Sequence, residues 1–294
     1  MLTLPSPKQT PLWVQLGPRQ SARHELCVRG ILCIFVKSSV SDRILSMSSL
    51  RPVDFKRDLI KYLHKQSVRV ARFSPEVYRH PSGGSVHQLR KAALRIRATL
   101  WLLKRSSARL HFNNLQRDLR RLEQSLGSVR ELDVAILDAN HYRVDTERLA
   151  ARRRIAEARL RLLVTPTQTL SLQRQLSQTE AFVRAEDRIS LRAARRHLRT
   201  QLRNRRKKHI HGPARLHRLR VLLKRAQYAL EAMGESVDPI KRLQRILGAA
   251  HDLEFLQSST RQTLKLRKRQ HSLNSKSVRL AKPVLRFAAA QIRK

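Results

Sequence analysis

Apolar residues recur at helical spacing over most of the chain after residue 50, and one such segment occurs twice, 130 residues apart. At about 100° of rotation per helical residue, each copy has one apolar face. The apolar positions are Leu89, Ala92, Ala93, Ile96, Leu100 and Leu103 in the first copy, and Leu219, Leu222, Leu223, Ala226, Leu230 and Met233 in the second. The opposite faces carry His87, Arg90 and Arg97, and His217, Arg220, Lys224 and Tyr228. The pattern predicts two matching helices that bury one side and hold a negative ligand with the other.

The same spacing predicts helices over the rest of this region, with Gly and Pro as the breaks. Ser85 is the expected N-cap of the His87 helix, and Gly127, Gly234 and Gly248 are the expected helix ends. The predicted helices are 54–73, 85–104, 113–126, 129–164, 179–208, 213–233, 238–248, 252–270 and 275–292. Strand signals are almost absent, so the predicted class is all-α.

The repeat extends beyond the two histidine helices. Leu126-Gly127 corresponds to Leu247-Gly248, and an acid follows each glycine by four and by six residues. These acids are Glu131 and Asp133 in the first copy and Asp252 and Glu254 in the second. Two similar units predict a pseudo-twofold pair of four-helix bundles, with lobe one at about 50–165 and lobe two at about 170–294. The Thr165–Thr169 stretch is the expected linker between them.

Residues 1–49 are predicted to be an irregular N-terminal extension. This segment holds four prolines, a strand-like run at 31–36 and both cysteines of the chain, Cys27 and Cys33. Either Met47 is the true start of the protein, or the extension is genuine and poorly ordered. The main body has no cysteine, which favours a reducing, cytoplasmic setting. No apolar run reaches the roughly 20 residues of a membrane span, so a protein without membrane segments is expected.

The charge is the most unusual feature of the composition. The chain has 63 Lys and Arg against 21 Asp and Glu, a formal net charge of +42. Such an excess is relieved by a polyanion, and nucleic acid, an acidic membrane surface and inorganic polyphosphate are the candidate classes. Aromatic residues make up only 4%, which weakens interpretations based on base stacking. The run Arg203-Asn204-Arg205-Arg206-Lys207-Lys208 is typical of a nucleic-acid or localisation patch, or of a helix end that adds to a basic surface.

At the repeated residues the chain resembles the conserved histidine α-helical domain (CHAD) family. The resemblance rests on His87 with Arg90 and Leu126-Gly127…Asp133, and on His217 with Arg220 and Leu247-Gly248…Asp252, over roughly residues 50–294. It implies two four-helix bundles with a basic groove between them, binding of inorganic polyphosphate, and no catalysis. Two positions depart from the family pattern. Leu94 stands where a basic residue is common seven positions after the histidine, and Gln227 replaces the usual Arg ten positions after it.

The candidate polyphosphate ligands are the cationic residues of the two helices. Guanidinium groups suit phosphate oxygens, lysine adds a mobile charge, and imidazole can donate one or two hydrogen bonds. The first set is His87, Arg90, Arg97, His217, Arg220 and Lys224, and Arg95 and Arg225 rank lower because they point further round their helices. Arg195 and Arg199 lie along one side of a basic helix and are expected to line the groove.

Other chemistry is not favoured by the sequence. The acids at 131, 133, 252 and 254 are better explained as helix-start residues that pair with buried Arg than as catalytic carboxylates. His209, His211 and His217 lack a Cys or carboxylate at metal-ligand spacing, so no metal and no cofactor are expected. We therefore expect a non-enzymatic protein that binds polyphosphate and is recruited to polyphosphate granules. The alternative is a basic helical DNA- or RNA-binding protein.

Overall fold

The computed structural model describes residues 52–103, 112–187, 189–206, 212–260 and 264–292. The predictions for residues 1–49 and for His209 and His211 lie outside this part of the chain. Within it the chain forms nine α-helices and no strand, which confirms the all-α prediction. The helices are α1 (Pro52–Arg79), α2 (Gly83–Leu102), α3 (Asn113–His141), α4 (Glu147–Leu163), α5 (Pro166–Ala185), α6 (Leu191–Arg206), α7 (Pro213–Ala232), α8 (Asp238–Ser259) and α9 (Leu264–Gln291).

The helices pack in two groups. In the first, α1 packs on α2 and α5, α2 packs on α3, and α4 lies against α3. In the second, α9 packs on α6 and α8, and α7 packs on α8. The groups meet where α2 contacts α7 and α3 contacts α8, so the two histidine helices lie side by side. This places the repeated elements opposite each other, while the pseudo-twofold relation itself stays a prediction.

The predicted apolar faces form the core. All six apolar positions of α2 and its end are buried, and so are five of the six on α7, with Leu222 half-buried. One large cluster runs through both groups of helices. A smaller cluster, which includes Leu132, Leu149, Leu253 and Leu266, joins the far ends of α3 and α8 to α4 and α9. Because both groups share this apolar contact, the interface between them is built on burial as well as on charge.

Two glycines that we expected to end helices lie inside them. α3 continues through Gly127 and α8 continues through Gly248. A glycine in a helix costs only about 1 kcal/mol relative to alanine, and long helices with buried faces overcome that cost. Gly234, by contrast, has a φ of 71° and follows the end of α7 as predicted. The prediction that helices end at residues 126 and 248 is therefore wrong.

Other predicted boundaries also move. Pro75 and Pro283 lie inside α1 and α9 and do not end them. The predicted helix 129–164 is interrupted between α3 and α4, where Arg143 has a φ of 55°. Ser82 caps α2 in place of Ser85, because its Oγ accepts a hydrogen bond from the Ser85 N–H at 3.1 Å. These differences shift element ends and leave the two histidine helices where the sequence predicted them.

The expected linker at Thr165–Thr169 is instead the start of a helix. Thr165 caps α5 through a hydrogen bond from the Gln168 N–H, and Pro166 occupies the first turn, where a proline costs no hydrogen bond. α5 then packs against α1, so it belongs with the first group of helices. The change of group comes after α5, near residues 186–190.

One arginine of α4 bonds to two other parts of the chain. Arg153 Nε donates to Asp133 Oδ1 on α3 at 2.6 Å, and its Nη2 donates to the Pro81 carbonyl at 3.1 Å. Arg153 also pairs with Glu157 on its own helix. Burial lowers the pKa of Arg153, but these two carboxylates outweigh it and raise that pKa above its usual value. Arg153 thus connects α4, α3 and the segment before α2.

Candidate functional site

A cavity of about 420 Å³ opens where α2, α3 and α7 meet. It contains six of the ten predicted ligand residues, namely Arg90, Arg97, His217, Arg220, Lys224 and Arg225. The other side chains and backbone at its walls are Leu94, Glu123, Gln124, Gly127, Ser128, Glu131, Val221 and Tyr228. Five arginines and lysines thus face two carboxylates, and the cavity has a net positive charge at neutral pH.

Arg90 reaches across the cavity from α2 to α3. Its Nη2 lies 3.9 Å from Glu131 Oε1, and its side chain is only 16% exposed. The guanidinium lies on the backbone of Gly127, where a Cβ would be 3.4 Å from Nη2. Arg90 Nε is buried and has no hydrogen-bond partner among the described residues. The terminal nitrogens are therefore the part of Arg90 that reaches Glu131.

Arg220 has the corresponding position in the second repeat. Burial lowers its pKa, the Asp252 carboxylate raises it, and Arg90 and Glu131 act on it from the other group of helices. Burial raises the pKa of Asp252, with Arg220 opposing that effect. The two arginines and the two acids thus form a crossed charge cluster, Arg90–Glu131–Arg220–Asp252, at the contact between the two groups.

The carboxylates of this cluster lie in the middle of α3 and α8, not at helix starts. The prediction that helix dipoles stabilise them is wrong, because both helices begin several turns earlier. The second part of that prediction is confirmed for two of the acids, since Arg90 pairs with Glu131 and Arg153 pairs with Asp133. These acids thus hold two arginines in place.

Lys224 is the most perturbed cation of the cavity. Burial, together with the nearby Arg90 and Arg220, lowers its pKa to about 7, against the opposing effect of Asp252 and Glu131. An ammonium group in such a place gains stability from any added negative charge. An anion that enters the cavity would therefore raise the pKa of Lys224. The protonated Lys224 would in turn strengthen the binding of that anion.

The histidines differ in placement. His217 lines the cavity, and its ring centroid lies 5.3 Å from that of His251 on α8. His87 is exposed and lies outside the cavity walls, near Arg130 of α3. Burial lowers the pKa of both His87 and His217, and neighbouring positive groups lower each one further. Both imidazoles are therefore mainly neutral at pH 7 and can donate one hydrogen bond each.

The outer rim of the cavity is also basic. Arg97 is paired with Glu123 of α3. Arg225 and Arg97 both lie within the electrostatic influence of Arg120, which is exposed on α3. One carboxylate thus faces three guanidinium groups at this edge. The charge excess therefore continues from the cavity onto the surface.

Three predicted ligands have partners elsewhere. Arg95 donates from Nε to Glu231 Oε2 at 3.1 Å and lies over the ring of Tyr228, 5.3 Å from its centroid. Arg195 pairs with Glu235 at 2.5 Å, and Arg199 Nη2 donates to the Ile292 carbonyl at 3.0 Å. The structure does not bring these three into the cavity, and a direct role in ligand binding stays a prediction for them.

Sequence reasoning missed His251 as a member of this site. Its Nε2 is buried without a hydrogen-bond partner among the described residues, 3.9 Å from Glu131 Oε1, and it contacts His217. The repeat offers a signal. Arg130 and His251 each stand three residues after the glycine of the repeated Leu-Gly pair, and each lies near one of the two repeat histidines. In the part of the chain that the structure describes, no group of three His, Cys or acidic residues could hold a metal ion.

The helices can be compared with the prediction that the chain has no membrane span. None of the helices in the described ranges combines the length and the apolarity that a membrane crossing requires.

Comparisons with known proteins bear on this arrangement. The chain covers 91% of the crystal structure of the CHAD domain from the plant Ricinus communis, with a TM-score of 0.55, 21% identity and 81% of the present chain aligned. It also aligns with PptA from Streptomyces chartreusis at a TM-score of 0.47 and 17% identity, over 81% of this chain and 98% of that one. No curated protein matches it.

The family comparison is the decisive one. The CHAD domain model matches residues 61–261, which is more than half of the chain and spans both histidine helices and the cavity between them. The fold, as the Ricinus communis structure shows it, is the same helical architecture. This chain therefore belongs to the CHAD domain family.

Proposed function

We propose that the protein binds inorganic polyphosphate in the cavity between α2, α3 and α7, and that it does so without catalysing a reaction. The observation that carries the proposal is the unequal charge of this cavity. Arg90, Arg97, Arg220, Lys224 and Arg225 face only Glu123 and Glu131. Such a site favours a ligand that has many closely spaced negative charges and few other functional groups.

The binding step follows from the geometry. A polyphosphate segment at the cavity contacts the guanidinium groups of Arg97 and Arg225 at the rim and then Arg220 and Lys224 deeper in. Its charge holds Lys224 in the protonated form, and the neutral His217 donates one hydrogen bond to a phosphate oxygen. Arg90 at the cavity wall adds a further positive charge. Release of counterions from the polyanion supplies much of the affinity, which is expected to fall steeply with salt.

The absence of a reaction is part of the proposal. The two acids of the cavity are paired with arginines, Glu123 with Arg97 and Glu131 with Arg90, so they are poorly placed to act as free bases. Ser128 Oγ donates to the Gln124 carbonyl of its own helix. A role in recruitment to polyphosphate granules follows from binding alone. The family resemblance supports polyphosphate over DNA or RNA, which share only the electrostatic attraction.

The test is a competition experiment on the full chain. Binding of long-chain polyphosphate is measured at physiological salt, with duplex DNA and RNA of equal phosphate content as competitors. The cavity variant Arg97→Gln/Arg220→Gln/Lys224→Gln is compared with Arg154→Gln/Arg159→Gln/Arg161→Gln, which removes the same charge from exposed positions of α4. We expect the cavity variant to lose affinity about tenfold or more, about 1.4 kcal/mol, beyond the control. If nucleic acid competes equally and both variants behave alike, the DNA/RNA alternative is the better one.

A further inference from the structure

A second group of arginines lies at the corner between α6 and α7, outside the cavity. Arg205 Nη2 donates to the Arg215 carbonyl at 2.6 Å, which joins the end of α6 to the first turn of α7. Arg215 and Arg218 are exposed, and Arg205 is half-buried. The side chains of Arg215 and Arg218 are close enough to Arg205 to repel it electrostatically.

The segment that forms this corner has no acidic residue to balance its positive charge. The sequence from residue 201 to residue 230 contains no Asp or Glu. Arg205 Nε is buried and, among the described residues, has no hydrogen-bond partner. Burial lowers the pKa of Arg205, and Arg218 and Arg215 lower it further. Three clustered guanidinium groups, two of them on exposed residues, are arranged for an anion with several oxygens, and a phosphate group has that chemistry.

The corner is connected to the cavity along α7. Arg218 and Arg225 are seven residues apart, so they lie on nearly the same side of the helix, about 10 Å apart along its axis. Both are exposed, and Arg225 belongs to the cavity rim. A basic stripe thus runs from Arg215 and Arg218 to Arg225 and into the cavity. A linear ligand can follow it, whereas a small anion cannot reach both ends.

We propose that Arg205, Arg215 and Arg218 form a second phosphate-binding site, the α6–α7 corner site, which extends the binding of a long polyphosphate chain beyond the cavity. This inference rests on the proposed function, because the ligand is the same. It adds that chain length is recognised by two sites, with the cavity holding one segment and the corner holding another. Long chains then bind more tightly than short ones through the effective concentration of the second segment.

The experiment compares two ligands, tripolyphosphate and long-chain polyphosphate, on full-length proteins. The corner variant Arg205→Gln/Arg215→Gln/Arg218→Gln is measured beside the α4 control, which has the same net charge. We expect the corner variant to bind long chains about tenfold more weakly than the control and to bind tripolyphosphate equally well. Its salt dependence with long chains should also be shallower, by about one unit of slope per lost phosphate contact.

Two further variants distinguish a failure of the corner site from a failure of the proposed function. The variant Arg215→Gln/Arg218→Gln keeps the hydrogen bond from Arg205 to the backbone carbonyl, so it tests the corner even if the triple variant folds poorly. The cavity variant should lose both ligands. If the corner variants bind long chains as tightly as the control does, the corner site is overturned while the cavity stands. If the wild-type protein binds neither polyphosphate, the proposed function fails and the corner site fails with it.

Discussion

The guanidinium of Arg90 lies on the backbone of Gly127, and a Cβ at that glycine would be 3.4 Å from its Nη2. The glycine thus makes room for a cation that crosses from α2 to α3 and pairs with Glu131. At the repeat-related Gly248, no atom lies within 4 Å of where a Cβ would be. The two glycines occupy matching positions and have different surroundings.

This difference predicts unequal effects of one substitution at the two glycines. Gly127→Leu should displace Arg90, weaken its pair with Glu131 and reduce polyphosphate affinity several-fold. Gly248→Leu adds a side chain in open space and gains helix propensity of up to about 1 kcal/mol, with affinity unchanged. Calorimetric titration with polyphosphate and thermal unfolding of both variants check this. Equal losses of affinity at both positions would contradict the role given to Arg90.

The pKa of Lys224 near 7 predicts a pH dependence of binding. Arg90 of α2 and Arg220 of α7 disfavour its charge, while Glu131 of α3 and Asp252 of α8 favour it. Bound polyphosphate raises this pKa, so binding takes up a proton above pH 7, and affinity should fall with rising pH by at most about tenfold per unit. Lys224→Arg stays charged and should flatten the profile. Titrations in buffers of different ionisation enthalpy measure the proton uptake, and its absence in the wild type would refute this account.

The same pKa predicts how Lys224 affects stability. Its folded value of about 7 lies below the usual 10.5, so between these values the unfolded chain binds more protons and the free energy of unfolding rises with pH. Below pH 7 the cost of burying the charge is fully present. Lys224→Met should therefore stabilise the protein at about pH 6, and its advantage should vanish as the pH approaches 10.5. Urea unfolding of both proteins across this range is the measurement, and an advantage independent of pH would point to packing instead.

Glu123 predicts a gain of function. Its carboxylate lines the cavity and pairs with Arg97, so it competes with a phosphate for that guanidinium. Glu123→Gln should raise polyphosphate affinity several-fold and steepen its salt dependence. Glu76→Gln removes the same charge from α1, outside the cavity walls, and serves as the matched control. Equal gains in the two variants would mean that net charge, and not the cavity, sets the affinity.

Breaking the ion pair between Arg95 and Glu231 should lower stability without weakening polyphosphate binding. Glu231 accepts hydrogen bonds from Arg95 at 3.1 Å and Gln227 at 2.9 Å, and its side chain is 19% exposed. Glu231→Ala leaves Arg95 partly buried without a carboxylate and should cost about 2 kcal/mol. Glu231 does not line the cavity, so polyphosphate affinity should stay within about twofold. Glu231→Gln keeps the shape and should cost less, and a large drop in affinity for either variant would place Arg95 in the binding site after all.

The periodic part of the fold could be predicted from the sequence, and the irregular part could not. The apolar faces of α2 and α7 follow directly from a period of 3.6 residues. The continuation of α3 through Gly127 and of α8 through Gly248 could not be predicted, because a glycine signal is local and the packing that overrides it is not. The sequence predicted six of the residues that line the cavity, and His87 lies outside it. It could not predict which arginines are taken by distant acids, as Arg95 and Arg195 are, because those contacts join residues 136 and 40 positions apart.

The arginine pairs that join the helices have a consequence in alkaline solution. Arg95 with Glu231, Arg153 with Asp133 and Arg195 with Glu235 all rely on a guanidinium, a type of group that stays charged into strongly alkaline solution. Lysine ammonium groups lose theirs well before that point, and Lys224 loses its proton near pH 7. A rise in pH therefore discharges part of the cavity while the ties between helices persist. An alkaline wash should therefore weaken ligand binding to a protein that is still folded and ready to bind again.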